Sequence, residues 1–145
     1  MSQGNDPRRI DTLAVHTDDV LTALEARERG RRPTVLRVLP PFSGRMRARI
    51  HVVDGSGQDD GAVHFRPGCF VTDRPPYPTV DDTEDELREG GAYSVERHHE
   101  AHARAVKGWR ETVRTRLRER IELPLSETGG PAHEQQLSVR VRYLG

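Results

Sequence analysis

Arginine and apolar residues alternate along residues 43–52, SGRMRARIHV. Arginines occupy three positions spaced two apart, and each is followed by an apolar residue, Met, Ala and Ile in turn. Side chains of a β-strand point alternately to its two faces, whereas those of a helix repeat every 3.6 residues. The pattern therefore predicts a strand with one apolar face and one face that carries Arg45, Arg47 and Arg49.

A second alternating segment, residues 134–144, lies near the end of the chain. Apolar side chains occupy every second position from Leu137 onward, and Arg140 and Arg142 lie between them. Together with residues 121–125, this segment predicts a terminal β-hairpin. Prolines, a serine and a glycine in the middle of residues 33–53 predict an earlier hairpin there.

Helical spacing separates these two hairpins. Apolar side chains recur at intervals of three and four in residues 95–121, and we predict one long helix there with Ser94 as its N-cap. Shorter helices are predicted over residues 18–29 and in the acidic segment 81–89, where Asp81 and Glu84 have the spacing of a capping box and a short helix follows to Gly90. This order predicts an α+β fold: a mostly antiparallel sheet of two hairpins packed on one long and one or two short helices.

Length and composition favour one folded domain. The 145 residues have zero formal net charge, and no apolar run approaches the ~18 residues of a membrane span. We predict a disordered N-terminus over residues 1–9 and a single α+β domain over residues 10–145. The single cysteine, Cys69, and the absence of an apolar signal core indicate the cytoplasm and no membrane partner.

The basic residues are almost all arginine: 22 of the 23, the exception being Lys107. Arginine presents a planar fork that binds phosphate or carboxylate through two hydrogen bonds, which lysine cannot do. The charges are also unevenly distributed, with a net +4 in residues 1–50, −8 in residues 51–100 and +4 in residues 101–145. The basic regions therefore suggest anionic partners.

If the predicted strands join one sheet, one face of it carries six arginines: Arg37, Arg45, Arg47, Arg49, Arg140 and Arg142. Three interpretations are open. The face is solvated, or the acidic segment 81–89 covers it, or it binds an anionic partner such as RNA or DNA. Like charges on neighbouring positions of a sheet repel, which favours a partner over an empty surface.

A second basic patch is predicted on the long helix, where Arg110, Arg114 and Arg118 are spaced at i, i+4 and i+8. Like charges at this spacing destabilise a helix, although its C-terminal end favours positive charge. Aromatic residues that would stack on bases are missing from the predicted arginine face. Recognition of the nucleic-acid backbone or shape is therefore expected rather than readout of bases.

His98 and His102 lie one helical turn apart in ERHHEAHAR, a spacing that can hold a transition metal. The zinc-protease pattern H-E-x-x-H is not met, because His99 stands where Glu is needed, and no spacing selects a third ligand. The alternative is a polar helix face. Since no phosphate-binding loop or nucleophile motif occurs, we predict no catalytic residue and no cofactor.

Three segments resemble a family of small uncharacterised proteins from halophilic archaea: TVLRVLPPFSGRMRARIHV (34–52), PPYPTVDDTEDELR (75–88) and YSVERHHEAHARAVKGWR (93–110). The resemblance covers most of the chain from about residue 10 and implies no activity. It implies a salt-rich cytoplasm, in which the Debye length falls to about 3 Å at 1 M salt. Arginines would then act through close bidentate contacts.

These observations favour a non-enzymatic binding module whose arginine face contacts RNA, DNA or a nucleoprotein assembly, with RNA or ribonucleoprotein preferred. The first alternative is an adaptor that binds an acidic protein. The second alternative is a metal-dependent enzyme that uses His98 and His102. The sequence makes no prediction of the oligomeric state.

Overall fold

The computed structural model describes residues 5–53, 61–124 and 136–145. Within these ranges the chain forms seven strands, three α-helices and two short 3-10 helices, Pro7–Arg9 and Pro67–Phe70. The strands and α-helices are, in chain order, β1 (Thr12–His16), α1 (Thr17–Glu28), β2 (Thr34–Val38), β3 (Arg45–Arg47), β4 (Arg49–Val52), β5 (Val63–Phe65), α2 (Val80–Glu89), α3 (Val95–Arg114), β6 (Arg120–Pro124) and β7 (Gln136–Leu144).

The chain divides into two compact units, and the predicted α+β class is confirmed. The first unit contains Met1–Thr72 and Leu117–Gly145, and holds all of these strands together with α1. The second unit, Asp73–Arg116, contains α2 and α3. A single domain over residues 10–145 stays a prediction. The sequence predicts disorder over residues 1–9. Residues 1–4 of that segment lie outside the described ranges, and residues 7–9 form the 3-10 helix Pro7–Arg9.

The strands form two sheets. The larger sheet has the order β3-β1-β7-β6, and the smaller sheet has the order β4-β2-β5. Both predicted hairpin pairings are present, because β2 is antiparallel to β4 and β6 is antiparallel to β7. However, β1 lies parallel to both β3 and β7, so the larger sheet is mixed.

The arginine-rich segment is not one continuous strand. β3 ends at Arg47 and β4 begins at Arg49, so the backbone passes from the larger sheet to the smaller one at Ala48. Ala48 is buried, and its amide donates a hydrogen bond to the carbonyl of Ala14 at 2.9 Å. Arg49 consequently leaves the sheet that holds Arg45 and Arg47.

The apolar positions of the alternating segments form the core of the first unit. Leu13 and Val15 of β1 and Val139 and Val141 of β7 are buried. α1 packs against β1, β2 and the 3-10 helix Pro67–Phe70. The other face of the larger sheet is left to its polar side chains, which lie at the alternate positions of β1, β3 and β7.

The prediction of a helix over residues 95–121 is wrong at its C-terminal end, because α3 ends at Arg114. Leu117 instead forms a β-bridge with Val71, and Ile121 is buried in β6. Both residues fit the helical spacing, but pairing within the first unit places them in extended backbone. The predicted N-cap is confirmed, since the Ser94 side chain accepts a hydrogen bond at the start of α3.

Trp109 of α3 packs within the second unit. Its indole N–H donates a hydrogen bond to the carbonyl of Pro75 at 3.0 Å. The ring of Tyr77 meets the indole edge-on, with centroids 4.9 Å apart and an interplanar angle of 87°. These contacts fix the segment that precedes α2 against α3.

Candidate functional site

Strand pairing brings four of the predicted arginines to one surface of the larger sheet. β3 and β7 flank β1, and directly paired residues on neighbouring strands point to the same face. The arginines stand on either side of two small residues of β1: Arg45 and Arg140 beside Thr12, and Arg47 and Arg142 beside Ala14. We call these six residues the arginine cradle.

The cradle has two walls, which are the pair of arginines on β3 and the pair on β7. Its four arginines are exposed, whereas Thr12 and Ala14 are half-buried between them. Neighbouring strands lie about 4.8 Å apart, so the two walls are separated by about 10 Å, and the arginines within one wall repeat at about 7 Å. An extended ligand lying along β1 would therefore contact arginines on both sides.

The charges of the cradle are not neutralised within the described part of the chain. None of its four arginines forms an ion pair with a carboxylate among the described residues. The four arginines repel one another, although more weakly than directly opposite like charges on adjacent strands, because β1 separates the two walls. A bound polyanion would remove this repulsion.

Arg120 extends the positive surface to the edge strand β6. It lies opposite Arg140 in the sheet, and its guanidinium donates a hydrogen bond to the hydroxyl of Ser138 at 3.2 Å. A depression of about 650 Å³ at this edge is lined by Arg120, by residues 140–143 and by Glu119. An anion bound in this depression would therefore lie close to the carboxylate of Glu119 as well as to the arginines.

Tyr143 has a structural role at the same edge. Its hydroxyl donates a hydrogen bond to the carbonyl of Arg118 at 2.6 Å. Burial, with a smaller contribution from Cys69, raises the pKa of the Tyr143 phenol well above its usual range. The phenol is therefore a neutral donor that holds β7 against the chain before β6.

The other two predicted arginines lie on the smaller sheet, where Arg37 of β2 pairs with Arg49 of β4. The prediction that all six arginines share the face of one sheet is wrong, because β3 and β4 belong to different sheets. Arg37 is half-buried, and its guanidinium donates to Nδ1 of His51 at 3.3 Å. In the neutral ring of His51 the proton therefore resides on Nε2.

The predicted helical stripe is only partly present. Arg110 and Arg114 lie on α3, but Arg118 follows the end of the helix, and its amide donates to the carbonyl of Phe70 at 2.7 Å. Arg110 and Arg114 belong to the second unit, and Arg118 belongs to the first. The three arginines are therefore not on one helical face.

His98 and His102 connect α3 to α2. Nε2 of His98 donates to the carbonyl of Val80 at 3.0 Å. The Thr83 hydroxyl donates to the carbonyl of Thr79 at 3.1 Å, so the Nδ1–H of His102 donates to that hydroxyl at 3.2 Å. Each ring thus commits one nitrogen to a helix contact. In the described ranges, no group of three His, Cys, Asp or Glu residues could hold a metal ion.

His64 of β5 lies opposite Arg37, and its ring centroid is 5.7 Å from that of His51. Desolvation, then the charge of His51 and that of Arg37, lowers the pKa of His64. The folded chain therefore binds this proton less readily than the unfolded chain, and the stabilisation present above about pH 6.5 is lost as pH falls through the lowered pKa.

We therefore expect the free energy of unfolding to decrease between neutral and mildly acid pH, and His64→Gln to remove part of that decrease. Urea denaturation of the unmutated protein and of His64→Gln, at several pH values between neutral and mildly acid, measures the free energy of unfolding of each. Parallel pH profiles for the two proteins would contradict this assignment.

Sequence reasoning did not identify Thr12 and Ala14 as the floor of the cradle. Their alternation with Leu13 and Val15 is visible in the sequence and is that of a half-buried strand. The parallel pairing of β1 between β3 and β7, which places these small residues among arginines, leaves no local sequence signal.

Among the described residues, no helix combines the length and apolarity required to cross a membrane.

The fold and the cradle define a small α+β protein with an arginine-lined sheet face. A family model described as a domain of unknown function (DUF8009) matches residues 1–145, and the chain belongs to this family. The expectation of an uncharacterised family is thereby confirmed. No curated protein and no solved structure matches the chain.

Proposed function

We propose that this protein is a nucleic-acid-binding module that holds the backbone of a strand in the arginine cradle. One observation carries the proposal: arginines from two separate strands stand on both sides of a floor of small residues. Within the described residues, no carboxylate pairs with those arginines. Two carboxylates lie nearby, Glu122 opposite Ser138 on β6 and Glu119 at the edge depression, but neither forms an ion pair with the four arginines.

The spacing of the cradle suits phosphates. Arginines within one wall repeat at about 7 Å, which is close to two steps of the ~3.4 Å axial rise per nucleotide in a stacked strand. Each guanidinium can donate two parallel hydrogen bonds to one phosphate group, which adds geometric selectivity to the charge. A strand along β1 would meet Arg45 and Arg47 on one side and Arg140 and Arg142 on the other.

The cradle supports recognition of the backbone rather than of bases. Among the described residues of β1, β3, β6 and β7 on this face, none is Phe, Tyr or Trp. Stacking platforms for single-stranded nucleic acids use such aromatic side chains. Contacts to phosphate and sugar position a protein without reading sequence.

We further propose that the target is RNA or a ribonucleoprotein in the cytoplasm of a halophilic archaeon. The ratio of 22 arginines to one lysine and the family resemblance support this origin. At about 1 M salt, binding by counterion release is largely lost. Short bidentate contacts to a structured target are then the interactions that retain strength.

The experiment that tests the proposal is gentle purification of the full chain in its native salt, followed by the ratio of absorbance at 260 and 280 nm. We expect nuclease-sensitive absorbance at 260 nm that is lost in the Arg140→Ala, Arg142→Ala double variant. The matched control is Arg31→Ala, Arg32→Ala, which removes two exposed arginines outside the cradle.

A clean protein spectrum at every salt concentration, in both the native protein and the control, would overturn the proposal. An acidic protein that co-purifies and is lost in Arg47→Glu, with nucleic-acid retention unchanged, would assign the surface to a protein partner instead.

A further inference from the structure

A second site adjoins the cradle, in the first unit. A pocket of about 400 Å³ opens between β2, β3 and β4, at the point where the chain passes between the two sheets. Its lining consists of basic and apolar side chains: Arg37, Arg47, Arg49 and His51, with Leu39, Met46 and Ile50. Pockets that bind small organic ligands fall in the same range of volume, about 300–1,000 Å³.

The lining combines two chemistries. Three guanidiniums and an imidazole provide donors and positive charge, and none of the described residues that line the pocket is acidic. Two of the apolar residues are unusually exposed, with Leu39 at 51% and Ile50 at 38%. A free inorganic anion would use only the basic groups, whereas a ligand with both an anionic and an apolar part would use the whole lining.

We propose that this pocket binds one nucleotide, with its phosphate on Arg47 and Arg49 and its base against Leu39 and Ile50. The inference rests on the proposed function, because the nucleotide is taken to be one unit of the strand held in the cradle. Arg47 carries this link, since it belongs both to the cradle wall and to the lining of the pocket.

The half-buried residues of the pocket organise it. The hydrogen bond from Arg37 to Nδ1 of His51, at 3.3 Å, fixes the orientation of both side chains. It leaves the Nε2–H of His51 as a donor for a phosphate oxygen. Arg49 pairs with Arg37 across β2 and β4, and it is exposed, so its guanidinium can reach a ligand without a cost in buried contacts.

Apolar side chains are suitable partners for a base. Enzymes that hold single bases pack them between aromatic or apolar side chains. Leu39 and Ile50 provide such surfaces beside the arginines. The pocket thereby supplies the base contacts that the cradle lacks, and we expect a preference for a nucleotide over either of its parts.

Isothermal titration calorimetry of the full chain with adenosine 5′-monophosphate, adenosine and inorganic phosphate tests the inference. We expect the nucleotide to bind about tenfold or more tightly than either part, since both sides of the lining contribute. Arg49→Ala should weaken nucleotide binding about tenfold or more, because a charge-assisted contact is lost. Ile50→Ser should weaken binding of the nucleotide but not of phosphate.

Arg31→Ala is the matched control, because it removes an exposed arginine that belongs neither to the cradle nor to the pocket. It should leave both nucleotide binding and strand binding unchanged. Arg49→Lys keeps the positive charge but removes the planar guanidinium. It therefore shows whether binding depends on the two parallel hydrogen bonds or on the charge alone. Circular dichroism of each variant shows whether the fold is retained, and chemical-shift changes of His51 in the unmutated chain report occupancy directly.

Nucleotide binding that survives Arg49→Ala would overturn the inference. Equal affinities for phosphate and nucleotide would overturn it as well, because the apolar wall would then have no part. If the nucleotide does not bind while strand binding still depends on Arg140 and Arg142, the pocket assignment fails and the proposed function stands. If strand binding is absent as well, both fail.

Discussion

Replacement of all four arginines of the cradle by alanine is expected to abolish strand binding at moderate salt. Each lost charge-assisted contact weakens binding about tenfold, so the four together should weaken it about ten-thousandfold. The slope of log affinity against log salt should fall in magnitude by about 3, since each phosphate contact of a single strand contributes about 0.7. Fluorescence anisotropy of a short labelled RNA across a salt series measures both quantities.

The matched control replaces four arginines outside the cradle: Arg27, Arg29, Arg31 and Arg32. All four are exposed, at the end of α1 and in the turn that follows it, so the change in net charge is identical. We expect this variant to retain most of the affinity and the salt slope. Equal losses in the two variants would mean that net charge, and not the cradle, determines binding.

Phe65→Ala is expected to lower the free energy of unfolding by about 3–5 kcal/mol. Phe65 is completely buried in β5, and its ring lies 6.1 Å from that of Phe70 in the 3-10 helix that contacts α1. Domains of this size are stable by only about 5–15 kcal/mol, so the variant should lose a large fraction of its free energy of unfolding. Chemical denaturation followed by circular dichroism measures the change.

Val52→Ala in β4 provides the comparison, because Val52 is 48% exposed. Substitutions of exposed residues usually change stability by about 0.5 kcal/mol or less. Similar denaturation midpoints for the Phe65 and Val52 variants would contradict the placement of Phe65 in the core.

Most helices and strands were predictable because their apolar periodicity is local. The alternation of Leu137, Val139 and Val141 predicts β7, and these residues are buried. The ends of helices and strands were less predictable where the same apolar residues fit both a helix and a strand. Ile121 fits both the helical spacing of α3 and the strand β6, and only its burial in the sheet decides between them.

The start of α2 was also mispredicted. The spacing of Asp81 and Glu84 predicts a capping box, but the helix begins at Val80 and its N-cap is Thr79. The hydroxyl of Thr79 accepts a hydrogen bond from the amide of Asp82 at 3.0 Å. Thr and Asp are both good N-caps, and the choice between neighbouring candidates depends on where the preceding extended chain ends.

The arginine site was predictable in composition but not in layout. Alternation alone places Arg45, Arg47, Arg140 and Arg142 on the polar faces of their strands, and they do share one surface. Arg49 is separated from them because the chain passes to the other sheet at the buried Ala48. In the sequence Ala48 is an ordinary apolar position of an alternating strand. The change of sheet depends on pairing between residues that are far apart in the chain, so no local pattern predicts it.

Because the chain passes between sheets at a single residue, Ala48, the two proposed contact surfaces are tethered by only two peptide units. Extended backbone spans at most about 3.6 Å per residue, so the Cα atoms of Arg47 and Arg49 lie within about 7 Å. Neither sheet can move far without the other. A polymer engaged on one of the proposed surfaces would therefore present its adjoining unit to the other at high effective concentration, and two weak contacts would act as one strong attachment.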